Sequence, residues 1–135
     1  MIGLIILTHG QMAIETLRAA EMIVGPISAC QALSIDRSCS VEEATENLSD
    51  ALSAVGSDGD GVLILTDMFG GTPTNIAADF LEEGRTDILT GVNLPVLIKA
   101  VSARGQMDLV GLASFLCEYG QKAILRPAEL LKSRS

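Results

Sequence analysis

The chain contains one histidine, His9, and an aspartate, Asp67, that each follow an apolar run. An imidazole can act as a nucleophile when a carboxylate bonded to one ring nitrogen fixes the tautomer and leaves the other nitrogen free. A Gly-Gly-Thr-Pro stretch follows Asp67, and its glycines allow close backbone approach while a helix start offers N–H groups to an anion. This pattern predicts a phosphohistidine site, with His9 as nucleophile, Asp67 as orienting partner, and Gly70, Gly71 and Thr72 as phosphate-binding residues.

Composition excludes several other classes of site. One histidine cannot support a metal centre that needs paired imidazoles, so no metal site and no cofactor are predicted. Three Phe, one Tyr and no Trp leave few platforms on which bases or sugar rings could stack. A net charge of -8 disfavours a nucleic-acid partner, because binding the phosphate backbone requires clustered Lys and Arg.

Each of these features also has an ordinary structural explanation. A lone histidine is more often structural than catalytic, Asp67 could be a cap or turn residue, and the Gly-Gly-Thr-Pro stretch could be only a tight turn. The functional interpretation depends on all three lying at one crevice. Met68 and Phe69 fall in the same loop, where they are either core residues or an exposed rim for docking a partner protein.

The pattern of apolar residues predicts alternating strands and helices. Continuous β-branched runs predict strands buried on both faces at 2–8 and 62–66, and weaker strands are predicted at 29–35 and 87–90. Helices are predicted at 12–24, 40–55, 72–83, 94–103 and 108–119, with Thr72 as a cap and Gly120 as the end of the last one. A short strand at 122–125 and a polar tail complete the chain.

This alternation predicts one domain, residues 1–135, with an α/β flavodoxin-like fold. Its mostly parallel sheet has the order 2-1-3-4 plus the short C-terminal edge strand, and helices cover both faces. The first and third strands are then neighbours whose connections leave toward opposite faces, which opens a crevice at their carboxyl ends. His9 and Asp67 are expected to meet there.

Cysteine usage and the N-terminus indicate the compartment. Cys30, Cys39 and Cys117 are odd in number and lack C-x-x-C spacing, which argues against a disulfide framework or a zinc ribbon. We interpret them as small buried apolar residues in a reducing, cytoplasmic protein. No basic segment precedes the first apolar run, and no run approaches the roughly 20 residues of a membrane-spanning helix.

Three segments carry a resemblance to a known family. LTHG at 7–10, TDMFGGTPTN at 66–75 and GVNLP at 91–95 resemble the enzyme IIA component of the mannose family of the bacterial phosphotransferase system, and the likeness extends to about residue 126. The resemblance implies that His9 accepts a phosphoryl group from phospho-HPr and passes it to a IIB component, with Asp67 as its hydrogen-bonding partner. It also implies a homodimer in which the final strand, 122–125, is exchanged.

The resemblance leaves the context of the carrier open. No linker to a fused IIB domain follows, so we expect a separate IIB protein and contact with the membrane only through a IIC/IID permease. A regulatory phosphocarrier acting on a non-transport target is an alternative, as is the phosphotransfer subunit of a dihydroxyacetone kinase, which lacks the long DMFGGTPTN-like run. A receiver would need acids at the end of the first strand, where this chain has Thr8 and His9. The sugar is not indicated.

Overall fold

The computed structural model describes residues 1–132 and contains a four-stranded, fully parallel sheet. The sheet order is β2-β1-β3-β4, which confirms the predicted order 2-1-3-4. The strands are β1 (Gly3–His9), β2 (Cys30–Ile35), β3 (Val62–Thr66) and β4 (Thr86–Leu89).

Helices cover both faces of the sheet, as predicted. They are α1 (Met12–Val24), α2 (Val41–Val55), α3 (Thr72–Ala78), α4 (Leu94–Ala103), α5 (Leu109–Lys122) and α6 (Pro127–Lys132). Helices α1, α4 and α5 bury their apolar sides in one core cluster, and α2 and α3 bury theirs in the other. The longest helix among residues 1–132 has 15 residues, and none is both long and apolar enough to span a bilayer.

The two central strands are buried on both faces. Along β1, Leu4 and Ile6 pack into the cluster under α1, α4 and α5, whereas Ile5 and Leu7 pack into the cluster under α2 and α3. Alternate residues of a strand point to opposite faces, so a strand covered on both sides needs apolar residues at every position. Burial of each such side chain contributes about 1.5–3 kcal/mol, which makes β1 and β3 a rigid support for the residues that follow them.

A buried arginine, which the sequence pattern did not reveal, ties α4 to the sheet. Arg104 follows α4 and is 5% exposed. Its guanidinium donates hydrogen bonds to the carbonyl oxygens of Ile2 at 3.2 Å, Ser28 at 2.7 Å and Ala29 at 3.3 Å. These carbonyls lie at the amino ends of β1 and β2, opposite the edge that holds His9. Arg104 therefore supports the fold at a distance from the candidate site.

The predicted end of α3 is wrong. The helix was expected to continue to residue 83, but it ends at Ala78. From there the chain changes to hydrogen bonds between residues three apart, as in Phe80 N–H to Ala77 O at 2.9 Å. This tighter turn brings Phe80 against the core cluster under α2 and α3, so packing of one aromatic ring ends the helix earlier than its apolar pattern suggests.

Helix α5 continues beyond its predicted end at residue 119. Gly120 was expected to close it, but the helix runs through Gly120 to Lys122. A Cβ atom on Gly120 would lie 2.7 Å from Cγ2 of Val96 in α4. The glycine thus permits close contact between two helices and does not mark a helix end.

The predicted C-terminal strand at 122–125 is absent from the described residues. Lys122 belongs to α5, and the segment that follows pairs with no strand. Ile124 and Leu125 are 80% and 61% exposed. Part of the predicted polar tail forms α6, none of whose residues is buried, and its last residues, 133–135, lie outside the described residues.

Candidate functional site

The ends of β1 and β3 bring His9 and Asp67 together. The two strands pair in parallel with Leu7 opposite Thr66, so the residues that follow reach the same edge of the sheet. Oδ2 of Asp67 accepts a hydrogen bond from the backbone N–H of His9 at 3.0 Å and lies 2.7 Å from its Nδ1. Oδ1 accepts from the backbone N–H of Met68 at 3.0 Å. One carboxylate thus holds both the main chain and the ring of the only histidine.

The protonation state of Asp67 determines the tautomer of His9. Burial alone would raise the pKa of Asp67, but the hydrogen bonds from the backbone and ring of His9 outweigh it and hold this pKa below its ordinary value of 3.8. An ionised carboxylate only accepts hydrogen bonds, so the proton of a neutral ring must lie on Nδ1. Nε2 then carries the free lone pair.

The two side chains differ in exposure. The imidazole of His9 is 51% exposed, whereas the side chain of Asp67 is 12% exposed. The orienting group is therefore shielded, while about half of the imidazole surface remains accessible to a molecule approaching the edge of the sheet. The arrangement suits a nucleophile that meets its substrate on another macromolecule.

The start of α3 lies against the imidazole. Gly71 is the N-cap of this helix, which corrects the prediction that Thr72 caps it, and no side chain bonds to the free N–H groups there. A Cβ atom on Gly71 would lie 2.9 Å from Cε1 and 3.7 Å from Nε2 of His9. Because φ of Gly71 is -85°, its glycine is required by this close approach and not by backbone conformation.

The other two predicted phosphate-binding residues flank Gly71. Gly70 has a φ of +83°, a left-handed conformation that favours glycine, and open space surrounds the position of its missing Cβ. Thr72 is the first residue of α3 and is exposed. The structure places only Gly71 in direct proximity to the ring, with Gly70 and Thr72 on either side along the chain.

The loop between Asp67 and Gly70 is apolar and exposed. Met68 is 54% exposed and Phe69 is 83% exposed. Both are therefore surface residues and not core residues. They lie in the loop that joins Asp67 to the start of α3, next to the site in the chain.

The third sequence motif, residues 91–95, also reaches this edge. The backbone N–H of Val92 donates to the carbonyl oxygen of Thr66 at 2.9 Å, which joins the loop after β4 to the end of β3. Asn93 caps α4 by accepting a hydrogen bond from the N–H of Val96 at 2.9 Å. The motif is thus a structural neighbour of Asp67 that helps to hold the end of β3.

Three buried threonines near the site were missed by sequence reasoning. They are Thr8, Thr66 and Thr74, with exposures of 0%, 0% and 8%. Thr8 and Thr66 immediately precede His9 and Asp67, and Thr74 lies in the first turn of α3. A hydroxyl as the last residue of an apolar strand is the signal that could have identified the first two, because a buried hydroxyl requires a partner.

Comparison with known proteins identifies the family to which the chain belongs. Residues 3–116 match the family model described as PTS system fructose IIA component. The PTS system fructose-specific EIIA component of Bacillus subtilis is 34% identical over 124 residues, covering 91% of this chain and 84% of that protein. The PTS system mannose-specific EIIAB component of Escherichia coli is 30% identical over 134 residues, covering 95% of this chain but 41% of that longer protein.

A solved structure shows the same fold. The mannose/sorbose-specific IIA subunit from Enterococcus faecalis superposes with a TM-score of 0.81 and 29% identity, over 93% of each chain. The fold and the matched residues thus define a IIA component of the phosphotransferase system, a class of phosphotransferases that serves sugar transport. Within that class, the chain belongs to the mannose family.

The close approach of Gly71 to His9 can be tested by substitution. In Gly71→Ala the added methyl group overlaps Cε1, so the ring should move outward and its Nδ1 bond to Asp67 should weaken. Imidazole ¹⁵N resonances measured by NMR should shift away from those of the Nδ1–H tautomer. Because the ring can swing into solvent, the free energy of unfolding should fall by only about 1 kcal/mol.

Gly105→Ala is the matched control, since open space surrounds that position and its φ is not left-handed. It should leave the imidazole resonances unchanged. The packing argument is wrong if Gly71→Ala has the imidazole spectrum of the unsubstituted protein.

Proposed function

We propose that this protein is a phosphoryl carrier that accepts a phosphoryl group from phospho-HPr on Nε2 of His9 and passes it to a IIB component for sugar uptake. The observation that carries the proposal is the 2.7 Å contact between Nδ1 of His9 and Asp67. It directs the lone pair of Nε2 toward the exposed side of the ring, where a phosphorylated partner can reach it.

The proposed transfer requires no net movement of a proton. The lone pair of Nε2 attacks phosphorus, and the P–N bond of the donor's phosphohistidine breaks with its electron pair returning to the donor ring. The ring of His9 then carries phosphate on Nε2 and a proton on Nδ1. Asp67 stabilises the positive charge that this ring gains, as a buried carboxylate does for the imidazolium of a catalytic triad. Transfer to IIB reverses these changes.

The start of α3 is the proposed cradle for the phosphoryl oxygens. Backbone N–H groups in the first turn of a helix lack partners within the helix and favour anions. Gly71, which lies against the ring, and Thr72, which follows it, supply such groups, and the hydroxyl of Thr72 adds a donor. The left-handed turn at Gly70 lets the chain leave the exposed loop and enter α3 at this point. Pro73, which has no N–H, interrupts the set.

Met68 and Phe69 are the proposed docking rim for HPr and IIB. Successive transfer to two proteins requires a shallow surface that each can cover, and exposed apolar side chains beside the nucleophile supply one. The net charge of -8 favours partners that carry basic residues near their own phosphohistidines. We propose that membrane contact is only indirect, through a IIC/IID permease.

The proposed carrier does not itself select the sugar. The three relatives described above are named for fructose, mannose, and mannose or sorbose. A carrier that handles only phosphoryl groups has no need to contact the carbohydrate. We further propose a single IIA domain over residues 1–135 and a cytoplasmic location. The three cysteines are free, which agrees with a reducing compartment, but none is buried as expected, since Cys30 and Cys39 are partly exposed and Cys117 is exposed.

The C-terminal segment supports a homodimer. Strand β4 is an edge of the sheet, and a cavity of about 220 Å³ beside it is lined by Leu89, Val96, Leu116 and Ile124, among others. Ile124 and the exposed Leu125 follow α5 in an unpaired segment. A second copy of the chain would cover these residues by receiving segment 122–125 along its own β4 edge.

Phosphorylation of His9 is the central prediction. Incubation with phosphoenolpyruvate, enzyme I and HPr should give an acid-labile, base-stable phosphoprotein, because phosphoramidates hydrolyse in acid. His9→Ala should take up no label. Labelling of His9→Ala would place the phosphoryl group on another residue and overturn the assignment.

The role of Asp67 is tested separately with Asp67→Asn. The amide can donate as well as accept, so it no longer selects the Nδ1–H tautomer, and the rate of phosphorylation should fall between about 10-fold and 10⁴-fold in a protein that still folds. Because the pKa of Asp67 lies below 3.8, the carboxylate stays ionised at higher pH and its contribution is lost only as pH falls through that folded-state pKa. A rate for Asp67→Asn close to that of the unsubstituted protein contradicts the role.

The dimer is tested by mass in solution. The protein should have twice its chain mass of 14.1 kDa in sedimentation or light-scattering measurements, and Ile124→Asp with Leu125→Asp should convert it to a monomer. Val41→Asp is the control, because Val41 is equally exposed but begins α2 on the other side of the sheet. A monomeric parent protein, or a double variant that remains dimeric, refutes the proposed exchange.

A further inference from the structure

We propose that Thr74 is a positioning residue for phosphoryl transfer, which acts by fixing the two neighbours of Asp67 in the chain. The inference rests on the proposed function, because it assigns to Thr74 the task of keeping the carboxylate in line with Nδ1 of His9. Thr74 touches neither the imidazole nor the expected position of the phosphoryl group, so its effect would be transmitted through the loop.

Two short hydrogen bonds meet at the hydroxyl of Thr74. Its Oγ1 donates to the carbonyl oxygen of Met68 at 2.6 Å and lies 2.7 Å from Oγ1 of Thr66. A hydroxyl has one proton, and the carbonyl can only accept. The proton of Thr74 is therefore used on Met68, and Thr66 must donate to Thr74. This accounting orders the chain of bonds as Thr66 to Thr74 to Met68.

Asp67 lies between Thr66 and Met68, the two residues held by this series of hydrogen bonds. Thr66 is fixed through its side chain, and Met68 is fixed through its carbonyl oxygen. The N–H of Met68 in turn donates to Oδ1 of Asp67 at 3.0 Å. The main chain on each side of Asp67 is thereby tied to one point on α3, which leaves little freedom for the carboxylate to rotate away from His9.

An analogous tie exists on the histidine side. Oγ1 of Thr8 accepts a hydrogen bond from the N–H of Ala13 at 2.8 Å and donates to the carbonyl oxygen of His9 at 3.1 Å. His9 and Asp67 are thus each preceded by a buried threonine whose hydroxyl bonds to the helix that follows. The hydroxyl of Thr8 bonds to a backbone N–H of α1, whereas the hydroxyl of Thr66 bonds to a side chain of α3, that of Thr74.

Burial of these hydroxyls also allows a purely structural role, in which Thr74 only anchors α3. A structural role predicts a loss of stability with no change at the ring of His9. A positioning role predicts a change in the tautomer of His9 and a slower transfer, whether or not the free energy of unfolding changes. The two roles are therefore distinguished by measurements on the same variants.

The experiment compares Thr74→Val with Thr74→Ser. Valine keeps the shape and removes both bonds, whereas serine keeps the hydroxyl. Phosphorylation from phospho-HPr should be about tenfold slower or more in Thr74→Val and near the parent rate in Thr74→Ser. ¹⁵N NMR of the unphosphorylated protein should show a mixture of imidazole tautomers in the first variant and only the Nδ1–H form in the second.

Thr45→Val is the control, because Thr45 makes a similar hydroxyl-to-carbonyl bond of 2.7 Å to Val41 in α2, away from the site. It should change neither the rate nor the tautomer. Thr66→Val removes the first donor of the series of hydrogen bonds. It provides a second test should Thr74→Val not fold.

The NMR result separates this proposal from the proposed function. Absence of labelling in the parent protein overturns the carrier role. Thr74→Val or Thr66→Val with the parent tautomer and the parent rate overturns the positioning role, even when the parent protein is labelled normally. Equal loss of rate in Thr74→Ser and Thr74→Val also overturns it, because the hydroxyl would then not be the group responsible.

Discussion

The hydrogen bond between His9 and Asp67 is possible only because β1 and β3 are parallel neighbours in the sheet. The two residues are 58 positions apart, and antiparallel pairing would place them at opposite edges. The order β2-β1-β3-β4 meets this requirement and also sends the connections after β1 and β3 to different faces, which leaves the edge between them open. Since both strands are buried on both sides, the bond joins two parts of the molecule that have little freedom to separate.

Helices α1, α3 and α4 begin after the carboxyl ends of β1, β3 and β4, at the same edge of the sheet as the site. Each connection is short and individually fixed. Thr8 holds the start of α1, Thr74 holds the start of α3, and Asn93 caps α4 next to the residue that bonds to Thr66. The result is a site with a covered carboxylate and an open imidazole. Such a site favours a nucleophile that must be oriented before its substrate arrives and yet remain accessible to a large partner.

The sequence predicted the parts of this structure that depend on local pattern. Continuous apolar runs identified β1 and β3, and the helix start at Leu94-Pro95 identified α4 with its observed bounds. Where tertiary contacts determine the ends of an element, the sequence pattern did not predict them. Packing of Phe80 ends α3 early, contact with Val96 lets α5 continue through Gly120, and segment 122–125 lacks a strand partner among residues 1–132. The pairing of His9 with Asp67 followed from topology, whereas the bonds of Thr66 and Thr74 required side-chain positions that no spacing rule supplies.

The distribution of side chains indicates where the specificity of such a carrier must lie. Among residues 1–132, the groups at the site are one carboxylate, a glycine at the start of a helix, and the loop that carries Met68 and Phe69. A phosphoryl group presents the same atoms whichever sugar finally receives it. Relatives named for different sugars can therefore share the fold, and under the proposed function the choice among transport systems falls to protein–protein recognition. Exposed Phe69 and the net charge of -8 are the features of this chain on which that recognition can act, because neither takes part in the reaction at His9.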